Sequence, residues 1–356
     1  LLQRDGPNTV FLGGTPFDNA ATGEIAVDSG SIRFNGPGNW LGGSLSVAGG
    51  SILSFEGNTG TFSGTLTGSG TGEVRLGNGF SATVGAGGLE LDFPAGQLTF
   101  LGNATFSGGT VTNIGHFQIT SGDPNLDGTV FRNAGTIVHG NARLDLVAAN
   151  AKVENLAGAT YRITGIGDYD WLGNFGGNYA NHGLLQRDGP NTVFLGGTPF
   201  SNTGTVELVS GAMNLNGPVA QISGSTLTGG EWVVGTGTTL VLPSGIQSNA
   251  GTIRLVGTMP QLSGLTANSG TFELAEGRDF SATTFVNAGT LLLGPGSTLS
   301  VAGAFTAGTA SRIEIALGGE LAIEFAHIHV EQRRELARLR RAEPGIFGDR
   351  PDRAHR

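Results

Sequence analysis

The chain has 356 residues, 64 of them glycine, with 13% charged residues and no cysteine. Disulfides, thiolate nucleophiles and cysteine metal sites are therefore excluded, and glycine lies far above its usual share of about 7%. The net charge is −9, and residues 331–356 carry eight Arg against five acids, so removing that +3 leaves −12 on residues 1–330. Lys152 is the sole lysine. An acidic body of this kind argues against nucleic acid and anionic lipid as partners, because neutralising phosphate needs clustered cations. No run of 18 apolar residues is present, so no segment reads as a membrane-spanning helix.

The chain opens on Leu1–Phe17, LLQRDGPNTVFLGGTPF, which returns letter for letter as Leu184–Phe200. The match extends so that 1–37 corresponds to 184–218, with two residues inserted in the first copy. A recurrence of this kind marks a duplicated long unit and predicts equivalent positions for both copies along one stack. Ile25 and Val27 answer Val206 and Leu208, the period-two signature of a half-buried strand. Because Leu1 lies inside a recurring motif, the chain is expected to be a fragment that continues into further repeats.

Beneath the duplication runs a shorter period, Asn-x-Gly, at Asn113, Asn133, Asn181, Asn202, Asn249, Asn268 and Asn287, with Asn155 as a variant. Its steps are 20, 22, 26, 21, 47, 19 and 19 residues, and the 47 predicts two coils, one of them degenerate. Asn58 fits the signature, whereas Asn174 falls out of register. Asn and Gly tolerate the backbone angles of a corner. The alternating pairs Phe272/Leu274 and Leu291/Leu293 after Gly-Thr then predict a strand following each corner. Such coils stack about 4.8 Å apart, and their Asn side chains can align in a ladder. The expected fold is all-β, a parallel β-helix (β-solenoid) of about 15 coils over residues 1–330 and roughly 70 Å long. Two or three Gly-rich sandwiches are the alternative, but they do not predict a recurring Asn-x-Gly-Thr corner.

Asp123, Asn125 and Asp127, in DPNLDG, match the first half of a calcium loop, whose spacing of two gathers oxygens around a hard cation. Ala134 stands where the bidentate Glu belongs, so a plain turn between coils competes. Further along, Asp168, Tyr169, Asp170 and Trp171, followed by Tyr179 and His182, fall in a 26-residue step. Aromatics beside carboxylates can hold a sugar; the competing reading is an aromatic plug inside an enlarged coil. His327 and His329 alternate near Glu324, a spacing open to metal but also ordinary for a polar strand face. No hydrolase, metalloprotease, P-loop or dinucleotide motif occurs, so no catalytic residue and no cofactor is assigned beyond the calcium option. Residues 331–356 turn abruptly charged and Arg-rich, as a helical cap over the last coil or as an aberrant, frameshifted end.

The FRNAGTIVH, FSNTGTVEL and FVNAGTLLL coils, with Leu66–Leu76, Leu227–Val234 and Ser311–Gly319, carry a family likeness. Residues 1–330 resemble the Gly-rich β-solenoid surface proteins of bacteria, both autotransporter-passenger-like and filamentous-haemagglutinin-like adhesins. The resemblance implies a right-handed coil and export to the cell surface or outer membrane. It implies a structural or adhesive shaft whose partners are host or environmental glycans or cell-surface receptors. The alternatives are a carbohydrate-active β-helix enzyme, which needs three or more acids converging on adjacent coils, and a calcium- or glycan-binding solenoid with a Thr-rich face.

Overall fold

The computed structural model describes residues 1–57, 59–174, 176–323 and 329–330. They wind into about 14 turns of a parallel β-solenoid. Each turn contributes one short segment to each of three faces, and each strand pairs with its counterparts one turn before and one turn after. In one turn, Thr110–Asn113 lies on face one, His116–Gly122 on face two and Asn125–Asp127 on face three. In the next turn Val130–Asn133, Thr136–Ala142 and Leu144–Leu146 pair with them in parallel. At about 4.8 Å per turn the rod is about 70 Å long. A 3-10 turn, Pro260–Gly264, replaces one face-three strand. The cap or aberrant end expected at 331–356, and His327 with Glu324, lie outside the described residues.

Alternation decides what is inside. In Thr252–Leu255, Thr271–Leu274 and Thr290–Leu293 the second and fourth residues are buried and the others are partly exposed. Stacking then sets Ile253, Phe272 and Leu291 directly above one another. Rings continue this through the lumen: Phe34, Trp40, Phe55, Phe62 and Phe80 touch in succession with centroids 4.7 to 5.9 Å apart. A core one side chain wide thus stays continuous along the rod, which a Gly-rich chain without disulfides needs.

The corners carry the Asn ladder expected from the spacing. Asn113 donates through Nδ2 to Asn133 Oδ1 (2.7 Å), Asn133 to Asn155 (2.8 Å), Asn155 to Asn181 (2.8 Å) and Asn181 to Asn202 (2.8 Å). A second run joins Asn249, Asn268 and Asn287. All are fully or almost fully buried, which a polar group tolerates only when bonded. Between the runs Leu227 pairs in register with Asn249, so the 47-residue step holds a coil whose corner Asn is replaced by Leu. There Asn202 donates instead to the Glu231 carbonyl. The neighbouring glycines are dictated by contact: a Cβ on Gly204 or Gly270 would run into the carbonyl oxygen of Gly183 or Gly251.

The duplicated segments are locally alike but not equivalent in the stack. Leu2 pairs with Ile25 as Leu185 pairs with Val206, and Val10 pairs with Ile32 as Val193 pairs with Met213. Followed coil by coil, however, Val10 belongs to the face-two column that contains Ile32, Leu53, Val74 and, further on, Ile137, Tyr161 and Leu185. Val193 lies on face three, paired with Tyr169. The 183 residues between copies therefore make eight turns plus one face. Unequal coil lengths between the copies, such as the 26-residue step, produce this offset.

Candidate functional site

The calcium half-loop does not curl. Asn125–Asp127 is a face-three strand with Leu126 buried inward, so Asn125 and Asp127 point outward in line along an extended backbone. Asn125 Nδ2 donates to the Asp123 carbonyl, and the corner that follows uses Gly128 at φ 67°. A cation loop needs those oxygens folded around one point. Strand pairing with Thr105 and Asp145 holds them apart, and no cluster of three or more acids or histidines suited to a metal occurs among the described residues.

The aromatic cluster divides. Asp168 and Asp170 are exposed, while Trp171 is completely buried and Tyr179 nearly so. Trp171 packs against Tyr161 (5.7 Å), Tyr179 (5.3 Å) and His139 (6.3 Å) and presents no face to a sugar. A register shift between Asp170 and Leu172 turns Trp171 and Leu172 both inward while Asp170 stays at the surface, which explains the correction. Tyr169 is half-buried, donates to the Gly140 carbonyl (2.6 Å) and has its hydroxyl pushed up to about 12 by burial. Asp168 accepts the Thr192 amide (2.7 Å) and so bridges coils. His182 is exposed and bonded to Thr203.

The lumen behind this cluster holds polar groups that sequence reasoning missed. His139 is fully buried, with Nδ1 2.7 Å from the Tyr161 hydroxyl and Nε2 2.9 Å from the Ala142 carbonyl. A carbonyl only accepts, so Nε2 carries the proton and Nδ1 accepts from Tyr161. Burial lowers the His139 pKa to about 4. Arg187 is also buried; it donates to the carbonyls of Ile163, Gly165 and Asn191, and desolvation lowers its pKa. Their strands would have revealed both, since Ile137 and Leu185 two residues earlier fix the inward parity.

On the outside, Arg143 makes a paired contact with Asp145 (2.7 and 3.0 Å) and reaches Asp123 at 3.6 Å. The charge of Asp170 also acts on Arg143, so acids from three successive coils surround one guanidinium. A different, shallow and open depression follows the corner between faces one and two, with about 540 Å³ of accessible space. Gly204, Gly230, Gly251 and Gly270 form its floor, and Thr205, Glu231, Thr252 and Thr271 one rim.

No family model matches the chain, and no solved structure does. Two curated proteins are similar to it. An autotransporter adhesin of Brucella suis biovar 1, BmaC, is 31% identical over 188 residues, 50% of this chain. A deoxyribonuclease, CdiA, of Dickeya dadantii is 31% identical over 191 residues, 54% of this chain. In each case the chain spans only 5% of the relative's length. The stacked coils and these matches agree with the likeness read from the Gly-rich repeats, and the chain is a β-solenoid of the bacterial surface-protein type.

Proposed function

We propose that the chain is a shaft segment of a secreted or surface-displayed bacterial protein, which holds an adhesive surface away from the cell. The observation that carries this reading is the coil-on-coil parallel strand pairing, pinned at the corners by two runs of buried Asn. That arrangement supplies length and stiffness from local contacts alone. The similarity to BmaC, an autotransporter adhesin, supports the same role and an extracellular or cell-surface location. The nuclease named in the CdiA match belongs to a far longer protein of which this chain resembles 5%. Glycans or receptors on host or environmental surfaces are the proposed partners.

Small-angle scattering tests the shaft. A rod this long and a 356-residue globule share a radius of gyration near 20 Å, so the distance distribution is the readout. It should be skewed, with a maximum on the order of 70 Å. A symmetric distribution ending near 50 Å, about the diameter of a sphere of that radius, overturns the reading.

The carbohydrate-active alternative has one observation in its favour, the three acids Asp123, Asp145 and Asp170 on adjacent coils. Arg143 occupies both oxygens of Asp145, which leaves that carboxylate engaged in an ion pair. Release of reducing ends from a polysaccharide, lost in Asp170→Asn, would establish that alternative.

A further inference from the structure

We propose that the rod carries a flexure at the 3-10 turn Pro260–Gly264, where face three parts while the other two faces stay paired, and that Glu276 is the strap holding it closed. The inference rests on the coil stack alone and stands whether or not the chain serves as a shaft.

Face three is cut at one level. Thr239–Val241 pairs with the coil before it, and Thr239 still bridges to Thr258 in the coil after it. Beyond that, Asp279–Ala282 pairs only with Thr298–Val301, one turn later. No backbone hydrogen bond joins Pro260–Gly264 to Asp279–Ala282 among the described residues. A 3-10 turn spends its amides on itself: Leu262 donates to the Met259 carbonyl and Leu265 to the Leu262 carbonyl. The lumen shows the same break, for Phe280 is partly exposed, whereas Leu299, its partner in register, is fully buried.

The other two faces run through this level. Thr252–Leu255 pairs with Thr271–Leu274 over four residues, and Ser248–Asn249 pairs with Ala267–Asn268. Asn249, Asn268 and Asn287 tie the corner between those faces from inside. Two joined walls and one open wall make a hinge whose axis is that corner.

One side chain bridges the open wall. Glu276, at the corner between faces two and three, has φ 54° and is the one non-glycine residue with positive φ among the described residues. That conformation is strained for a residue with a long side chain, and it persists where surrounding contacts impose it. Here Glu276 accepts from Arg254 Nη2 (2.9 Å) and from Thr236 Oγ1 (2.9 Å). Arg254 lies one coil back and Thr236 two, so the strap spans the cut level and the coil before it. An exposed ion pair holds weakly and is screened by salt, which suits a fastening that yields and closes again.

The test measures distances between paired spin labels in the full chain. No cysteine is present, so labels go only where cysteines are placed. Ser244→Cys with Ala302→Cys reports the face-three side, and Thr228→Cys with Ala288→Cys reports the Asn corner; all four positions are exposed. Each pair spans three coils, a rise of about 14 Å. With Glu276 in place both distributions should be narrow. Glu276→Gly removes the carboxylate and relieves the backbone strain. It should add to the face-three pair a component longer by about 4.8 Å, one coil spacing, and leave the corner pair unchanged. Thr236→Val removes one donor without touching the strained turn; it should lengthen the same pair to a smaller extent, and it decides the matter if Glu276→Gly folds poorly. A face-three pair unchanged in both variants would make Glu276 a strained surface residue and no strap. Equal lengthening of both pairs would mean loosening of the whole stack and no hinge. Either result overturns the proposal.

Discussion

Acid should loosen the rod first where His139 is buried. The pKa of this histidine falls from 6.5 to about 4 because the lumen desolvates its charged form. In the unfolded chain the group titrates near its ordinary value. Above pH 6.5 both states are neutral and burial costs nothing. Between pH 6.5 and 4 the unfolded chain takes up a proton that the folded chain refuses, so stability falls as pH falls. About 2.5 units at 1.36 kcal/mol each gives a loss of about 3 kcal/mol by pH 4. Because each coil touches only its neighbours, the loss should appear locally. Hydrogen exchange, corrected for intrinsic rate, should accelerate by about a hundredfold or more at Ile137, Val153 and Tyr161 between pH 7 and 4. Amides near Phe55 and Leu291 should change far less. The double variant His139→Leu, Tyr161→Phe removes the titrating ring and its hydroxyl partner together and leaves only the Ala142 carbonyl without its former donor, a loss that does not depend on pH. Equal acid sensitivity in wild type and double variant, or uniform loss of protection along the rod, refutes the reasoning.

Three further outcomes are expected. Phe272→Ala and Trp171→Ala each empty a fully buried site and should cost about 3–5 kcal/mol in urea denaturation; a Trp171→Ala protein that keeps its stability would show the indole is not core. Asn133→Leu should destabilise by about 1–3 kcal/mol, because it leaves Asn155 Oδ1 and the Thr160 carbonyl without their donor inside the rod and Asn113 Nδ2 with carbonyl partners alone, and an unchanged melting midpoint would count against the ladder. Calcium should leave the thermal midpoint unmoved; a rise abolished by Asp127→Ala would restore the half-loop site.

The coil was legible because its two signals are local. Asn-x-Gly-Thr fixes a corner and alternation fixes a strand, as at Asn268 and Phe272, and stacking adds no information that those residues lack. Leu227 was legible too, as a gap in the spacing. Trp171 and Asp127 were left between two readings for one reason: each was weighed as a member of a cluster, whereas strand parity turns Asp127 outward and an irregularity in the register between Asp170 and Leu172 lets Trp171 and Leu172 both face in. The lumen groups His139 and Arg187 follow the same parity, but a polar side chain at an inward position carries no apolar signal by which alternation could mark it. What spacing within one coil cannot supply is the number of faces between distant copies, because that depends on every coil length in between.

That number has a geometric consequence. The loop that follows Arg4 and the one that follows Arg187 have the same sequence and the same internal bond, guanidinium to the carbonyl of Asn8 or Asn191 at 3.0 Å. Eight turns and one face separate them, so identical loops sit on the order of 40 Å apart and point roughly a third of a revolution away from each other. A flat opposing surface meets one of them at a time. A flexible partner able to wind around the fibre meets both, and further units added with the same offset would trace a slow spiral of identical contact points, spreading grip around the circumference instead of along a single side.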